Sequence, residues 1–220
     1  MARADRPGIV LSGGGARGAY EVGVVSGVVE VLGRGPKDPP PFRVFTGTSV
    51  GAINATWLAA HTDRGDLDVA GLAQVWTDLR LPVHLRLDPL RLLGLKRIAA
   101  RWLDREHLGP SILDPRPLDA VVAHAIPWER LHANARTGAL HALVVAALEV
   151  ATGRTTLFHE TGPDCEFRPS RDPRRRAWPG PIEVDQVLAS AAIPLVFPAR
   201  RVGHAWFCDG GLRFNTPIAP

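Results

Sequence analysis

The sequence is most informative at first for what it has little of. Its 220 residues include two cysteines, Cys165 and Cys208. These can form one disulfide at most and match no zinc-ligand spacing, so neither a disulfide framework nor a metal site is expected. No apolar run approaches the roughly 20 residues needed to cross a bilayer, which excludes a membrane-spanning helix. The segment Ile9-Val10-Leu11 is too short for the apolar centre of a signal peptide, so a cytoplasmic location is expected. Lysine is nearly absent. Of the 26 Lys and Arg residues only Lys37 and Lys96 are lysines, and the net charge is +4. Such an arginine bias reads either as base composition of the gene or as attraction to phosphates and anionic lipid. What remains is ordinary: 45% hydrophobic and 22% charged residues fit a globular chain and not a disordered one. The length fits about one domain, burying roughly 70% of the surface the unfolded chain exposes.

Periodicity gives the organisation. Residues 8–11 read as a buried strand, followed by a glycine loop and a helix from Ala19 carrying Val22, Val25, Val28, Val29 and Leu32 at helical spacing. Gly33, Gly35 and the prolines of 36–41 end it. A second strand, 42–46, precedes a turn and a helix over 52–60. This alternation predicts an α/β fold, a three-layer sandwich whose mostly parallel central sheet is flanked by helices. Helices are expected over 67–79, 89–103 and 117–125, making 65–135 a helical, cap-like region. Strands are expected within 140–150 and at 155–159, with a turn at 151–154. Residues 161–181, rich in Pro, Gly, Arg and Asp, read as an exposed loop. A helix over 184–192, an extended stretch over 193–198 and a strand over 205–208 follow, the last delivering Asp209.

Chemistry concentrates at three places. Gly47-Thr48-Ser49-Val50-Gly51 fits the G-x-S-x-G turn, in which a strand reverses sharply into a helix and exposes a serine at the tip. The flanking Gly47 and Gly51 let such a turn close, and the helix that follows aims its N-terminal amides at the place where negative charge develops. The loop Gly13-Gly14-Gly15-Ala16-Arg17-Gly18 matches the dinucleotide fingerprint G-x-G-x-x-G after a strand and before a helix. The acidic residue that would hold a ribose is missing from the end of the second strand. The other reading of this loop is an oxyanion hole built from the backbone amides of Gly13, Gly14 and Gly15, with Arg17 adding charge or bracing.

A serine nucleophile needs a base. No histidine follows Asp209, so a triad in the order Ser, acid, His cannot use that aspartate. His159 and His204 are conceivable bases. Asp209 is the stronger candidate, because it ends a strand and Gly210 and Gly211 beyond it permit close approach.

Taken together, Gly-Gly-Gly-Ala-Arg-Gly at 13–18, Gly-Thr-Ser-Val-Gly at 47–51 and Asp-Gly-Gly at 209–211 resemble the patatin-like phospholipase family in order and approximate spacing. Further likeness lies at Thr152-Gly153-Arg154, at Ala189 to Pro194 with Phe197-Pro198, and at Asn215-Thr216-Pro217. The resemblance implies one catalytic domain over 1–220, continuing in other members beyond the Asn-Thr-Pro segment. It implies hydrolysis of phospholipid or another acyl ester by a Ser–Asp dyad with no cofactor. Ser49 would be the nucleophile, Asp209 the base, and Gly13, Gly14, Gly15, Arg17 and Gly18 the oxyanion loop. No nucleic acid partner is expected, and peripheral membrane association is one option. For that option the stretch 79–107, mixing leucines with arginines, reads as a basic amphipathic helix on lipid, as a cap over an acyl pocket, or as a helix packed on the sheet. A nucleotide-binding domain and an inactive lipid-binding module are the competing functions.

Overall fold

The computed structural model describes residues 7–87, 107–109 and 111–218. The helix expected over 89–103, and with it the basic amphipathic face, lies outside the described residues. In chain order the elements are β1 (Gly8–Leu11), α1 (Arg17–Val31), β2 (Val44–Thr48), α2 (Val50–Ala60), α3 (Val69–Asp78), α4 (Leu81–His84) and β3 (His107–Leu108). Then come α5 (Arg116–Ala125), α6 (Trp128–Thr137), β4 (Ala142–Glu149), β5 (Thr155–Thr161), β6 (Arg175–Pro179), α7 (Val184–Ser190), β7 (Ala199–Val202) and β8 (Ala205–Asp209), with a 3₁₀ turn at Gly210–Leu212.

The strands form one sheet in the order β1-β2-β4-β8-β7-β3, with β5 on β4 and β6 on β5. Its centre, β1-β2-β4, is parallel, as the alternating strands and helices predict, whereas β5 and β8 run antiparallel to β4 and β7 antiparallel to β8 and β3. Each step from β1 to β2 to β4 moves the same way across the sheet. Right-handed crossovers therefore put the connecting helices on one face. Leu143, Val145 and Ala147 of β4 point to that face, into a core shared with α1, α2, α3, α5, α6 and α7. The alternate residues Val144 and Ala146, with Leu157, form a smaller cluster on the opposite face, beneath Phe167 and Phe214.

Besides the short α4 and β3, three segments differ from the sequence expectation. Residues 161–181 are not loop throughout: Arg175–Pro179 pairs in parallel with β5 as β6. Arg175 reaches back over the Phe214 ring at 4.2 Å, and Arg176 lies over Trp178 at 4.8 Å, so the arginines that mark the segment as exposed cover aromatic surface. Helix α6 has a largely polar sequence and buries only Leu131, Asn134 and Ala135. Strand β7 hides behind Arg200 and Arg201; Arg200 is buried and bonded to Asp119 of α5.

The register of β4 positions the site. Strand β5 occupies one edge of β4 from Ala142 to Leu148. The other edge is shared: β2 runs parallel along Ala142–Ala146, and β8 comes from the opposite direction along Ala147–Glu149. The C-terminal ends of β2 and β8 thus meet head-on at a seam between Ala146 and Ala147. Ser49 follows the last residue of β2, and Asp209 is the last residue of β8.

Candidate active site

At the seam, Ser49 Oγ donates a hydrogen bond to Asp209 Oδ2 at 2.6 Å. Both residues are buried, with Ser49 5% and Asp209 4% exposed. Ser49 has φ 57° and ψ −131°, a sparsely populated conformation for a residue with a side chain, at the point where β2 turns into α2. The turn closes because α2 lies directly on the preceding strands. A Cβ on Gly51 would collide with the Leu11 carbonyl of β1, and one on Gly47 with the Gly51 carbonyl. On the other side of the seam, a Cβ on Gly210 would run into the Ala146 carbonyl.

The Asp209 carboxylate is fixed at both oxygens. Oδ1 accepts the Gly211 amide at 2.7 Å, and Oδ2 accepts the serine hydroxyl. Burial pushes its pKa above the ordinary carboxylate value, and the bonds from Ser49 and Gly211 pull part of the way back. This is the direction a base needs if it is to compete for a hydroxyl proton.

Gly13, Gly14, Gly15, Ser49, Ile193, Asp209, Gly211, Leu212 and Asn215 line a shallow open pocket of about 250 Å³. The glycine loop is therefore brought to the serine and aspartate, although its residues do not all face them alike. The Gly13 amide donates to the Asn215 carbonyl at 3.0 Å, and the Gly18 amide to the Gly15 carbonyl at 3.0 Å, so neither N–H points into the pocket. Gly18 instead lies where α1 meets Val50 and Trp76. The amides of Gly14 and Gly15 have no acceptor among the described residues. Arg17 opens α1 with an exposed side chain whose stem passes Gly14, and it does not line the pocket. His159 stacks on Phe167 and His204 lies near Trp178; neither borders the pocket.

Three residues with site contacts carry no chemical signal in the sequence. Glu21 of α1 accepts the Ser12 amide at 2.7 Å and so anchors the entry to the glycine loop. Asn215 clasps Gly13 from both sides, its carbonyl accepting the Gly13 amide and its Nδ2 donating to the Gly13 carbonyl at 3.2 Å. Ser190, the last residue of α7, accepts the Ser49 amide at 2.8 Å. Ser190 and Asn215 fall in segments that resemble the family. Their roles depend on partners 141 and 202 residues away, which no local pattern reveals.

Comparison with known proteins points the same way. The sequence is 31% identical over 210 residues to a protein named cGAMP-activated phospholipase from Pseudomonas aeruginosa (strain BWHPSA011 / Pa011), covering 95% of this chain and 53% of that one. It is 27% identical over 217 residues to a protein of the same name from Escherichia coli (strain TW11681), covering 94% and 52%. The chain thus spans about half the length of these relatives. Among solved structures, VipD from Legionella pneumophila superposes with a TM-score of 0.54 at 16% identity, over 97% of this chain and 47% of that one, a likeness of fold. The family model described as patatin-like phospholipase matches residues 9–220. A match that leaves out only the first eight residues takes in the sheet, the helices and the pocket together, and the chain belongs to the patatin-like phospholipase family.

Proposed function

We propose that the chain is a serine acyl hydrolase that cleaves carboxylic esters of phospholipids through Ser49 and Asp209. The observation that carries this reading is the 2.6 Å bond from the Ser49 hydroxyl to a buried carboxylate, beside the Gly14 and Gly15 amides that have no acceptor among the described residues. In the reaction, Asp209 Oδ2 takes the Ser49 proton as Oγ attacks the ester carbonyl. The negative charge that forms on the carbonyl oxygen faces the Gly14 and Gly15 amides and the N-terminus of α2. The protonated Asp209 then gives its proton to the departing lysolipid oxygen as the carbonyl re-forms, leaving an acyl-Ser49 ester. Water, losing a proton to the same carboxylate, attacks that ester and releases the fatty acid, returning the proton to Ser49.

Two further features support an acyl ester over a nucleotide. Ile193 and Leu212 at the pocket are 37% and 60% exposed, offering apolar surface to an acyl chain. A pyrophosphate on the 13–15 amides would share that small pocket with the Asp209 carboxylate, and like charges at that range repel. The names of the two relatives support phospholipid as the substrate class.

The test is fatty-acid release from phosphatidylglycerol and phosphatidylcholine vesicles by the purified chain, with and without cGAMP, the activator that both relatives are named for. Turnover is expected in the wild type and should fall by on the order of 10³-fold or more in Ser49→Ala, since removing a nucleophile costs at least that much in serine hydrolases. Equal turnover in Ser49→Ala would overturn the assignment.

A further inference from the structure

The end of α7 touches both halves of the Ser49–Asp209 pair from behind. The Ser190 hydroxyl accepts the Ser49 amide at 2.8 Å and donates to the Ala146 carbonyl at 2.6 Å. Two residues on, the Ala192 carbonyl accepts the Asp209 amide at 2.9 Å. We infer that this turn sets the separation of nucleophile and base, with Ser190 as the positioning residue for Ser49. The inference rests on the hydrolase reading above and adds to it a residue that never meets substrate.

The seam explains why a hydroxyl is needed there. The ladder between β2 and β4 ends at Thr48 opposite Ala146, and β8 takes over at Ala147. Ser49 has already left the strand direction, so its amide no longer continues the ladder to β4. Without the Ser190 hydroxyl two backbone groups, the Ser49 N–H and the Ala146 C=O, would be left buried and unpaired, which is costly. A hydroxyl both accepts and donates, so one side chain satisfies the two together. A serine late in a helix commonly donates to the carbonyl one turn earlier; Ser190 reaches across to β4 instead, and is wholly buried there. The unusual backbone of Ser49 persists only where its surroundings over-determine it, and the relay is one of the contacts that do so.

Wild type, Ser190→Ala, Ser190→Cys, Ser190→Thr and Ser49→Ala are compared in steady-state ester hydrolysis, with the folded fraction of each read from its thermal melt. Ser190→Ala is expected to lower kcat by about tenfold to a hundredfold, the scale of a misplaced reacting group, with KM little changed. Threonine keeps the hydroxyl and should recover most of kcat, despite its extra methyl in a fully buried site. Cysteine keeps the volume but bonds weakly, and should stay near alanine. The acid limb of the pH profile should not move in any of them, because Ser190 does not contact the Asp209 carboxylate. A packing role predicts the reverse order, with cysteine above threonine. That order, or a kcat per folded molecule in Ser190→Ala within about twofold of wild type, would overturn the relay and leave the Ser49 assignment standing. Absence of any Ser49-dependent turnover would remove the hydrolase reading itself, and the relay with it.

Discussion

Asp209 carries opposing demands. Its carboxylate is held in a buried place where the charged form is disfavoured, which serves a base and costs the fold. Because the folded pKa lies above the unfolded one, this group's contribution to stability is fully present below the unfolded pKa and is lost as pH rises through the folded one. Asp209→Asn removes the charge while keeping an amide oxygen for Gly211 and a donor for Ser49. The variant is expected to be inactive yet to melt above the wild type at neutral pH, with the gap closing as pH falls towards 4. Melting curves across that range check the sign; a variant less stable than wild type at neutral pH would contradict it. In the wild type, kcat/KM should rise with pH along an acid limb lying above the ordinary carboxylate pKa. Ser49 and Asp209 could be picked out in the sequence as candidates because Ser49 follows a strand, Asp209 ends one, and both sit among glycines. Which amides of the 13–18 loop lack an acceptor among the described residues could not be read there, since its positions look equivalent until the Asn215 and Gly15 carbonyls are seen to accept the amides of Gly13 and Gly18.

At the scale of elements, the strand–turn–helix over 44–60 is the part on which the site depends most. Helix α2 packs so close to β1 that Gly51 has backbone where a methyl group would go. Gly51→Ala is expected to destabilise the fold by about 1–3 kcal/mol, as overpacking does, and to lower activity more than stability because Ser49 lies two residues away. Urea denaturation with parallel turnover checks both. A variant that matches wild type in each would show the contact to be soft. These elements were readable because their apolar residues recur at the right period. Helix α6 was not, since so few of its residues turn inward, and β6 and β7 were masked by arginines that lie along aromatic or buried surface. In each case tertiary contact outweighed composition.

For the whole molecule, the decisive arrangement is the shared edge of β4. The first 60 residues supply the proposed nucleophile, Ser49, and the last dozen supply the proposed base, Asp209, and the loop's latch. Beyond the seam, Phe214 closes the smaller core, the Phe214 carbonyl accepts the Thr48 hydroxyl at 2.9 Å, and Asn215 holds Gly13. Ending the chain after Leu212 is therefore expected to abolish hydrolysis and to raise binding of an apolar dye, as Val144, Ala146 and Leu157 lose part of their cover. Unchanged turnover in that truncation would mean the loop holds its shape alone. The α/β class followed from alternating strands and helices, but the meeting of β2 and β8 did not, because β8 approaches β4 against the direction of β2 and nothing local encodes that order. The central claim is that this meeting activates Ser49. Reaction with a fluorophosphonate, followed by peptide mass spectrometry, tests it most directly. The account predicts an adduct on Ser49 in the wild type, forming at least about a hundredfold more slowly in Asp209→Asn, the scale of a lost general base. An adduct on another residue, or an equal rate in Asp209→Asn, would contradict it.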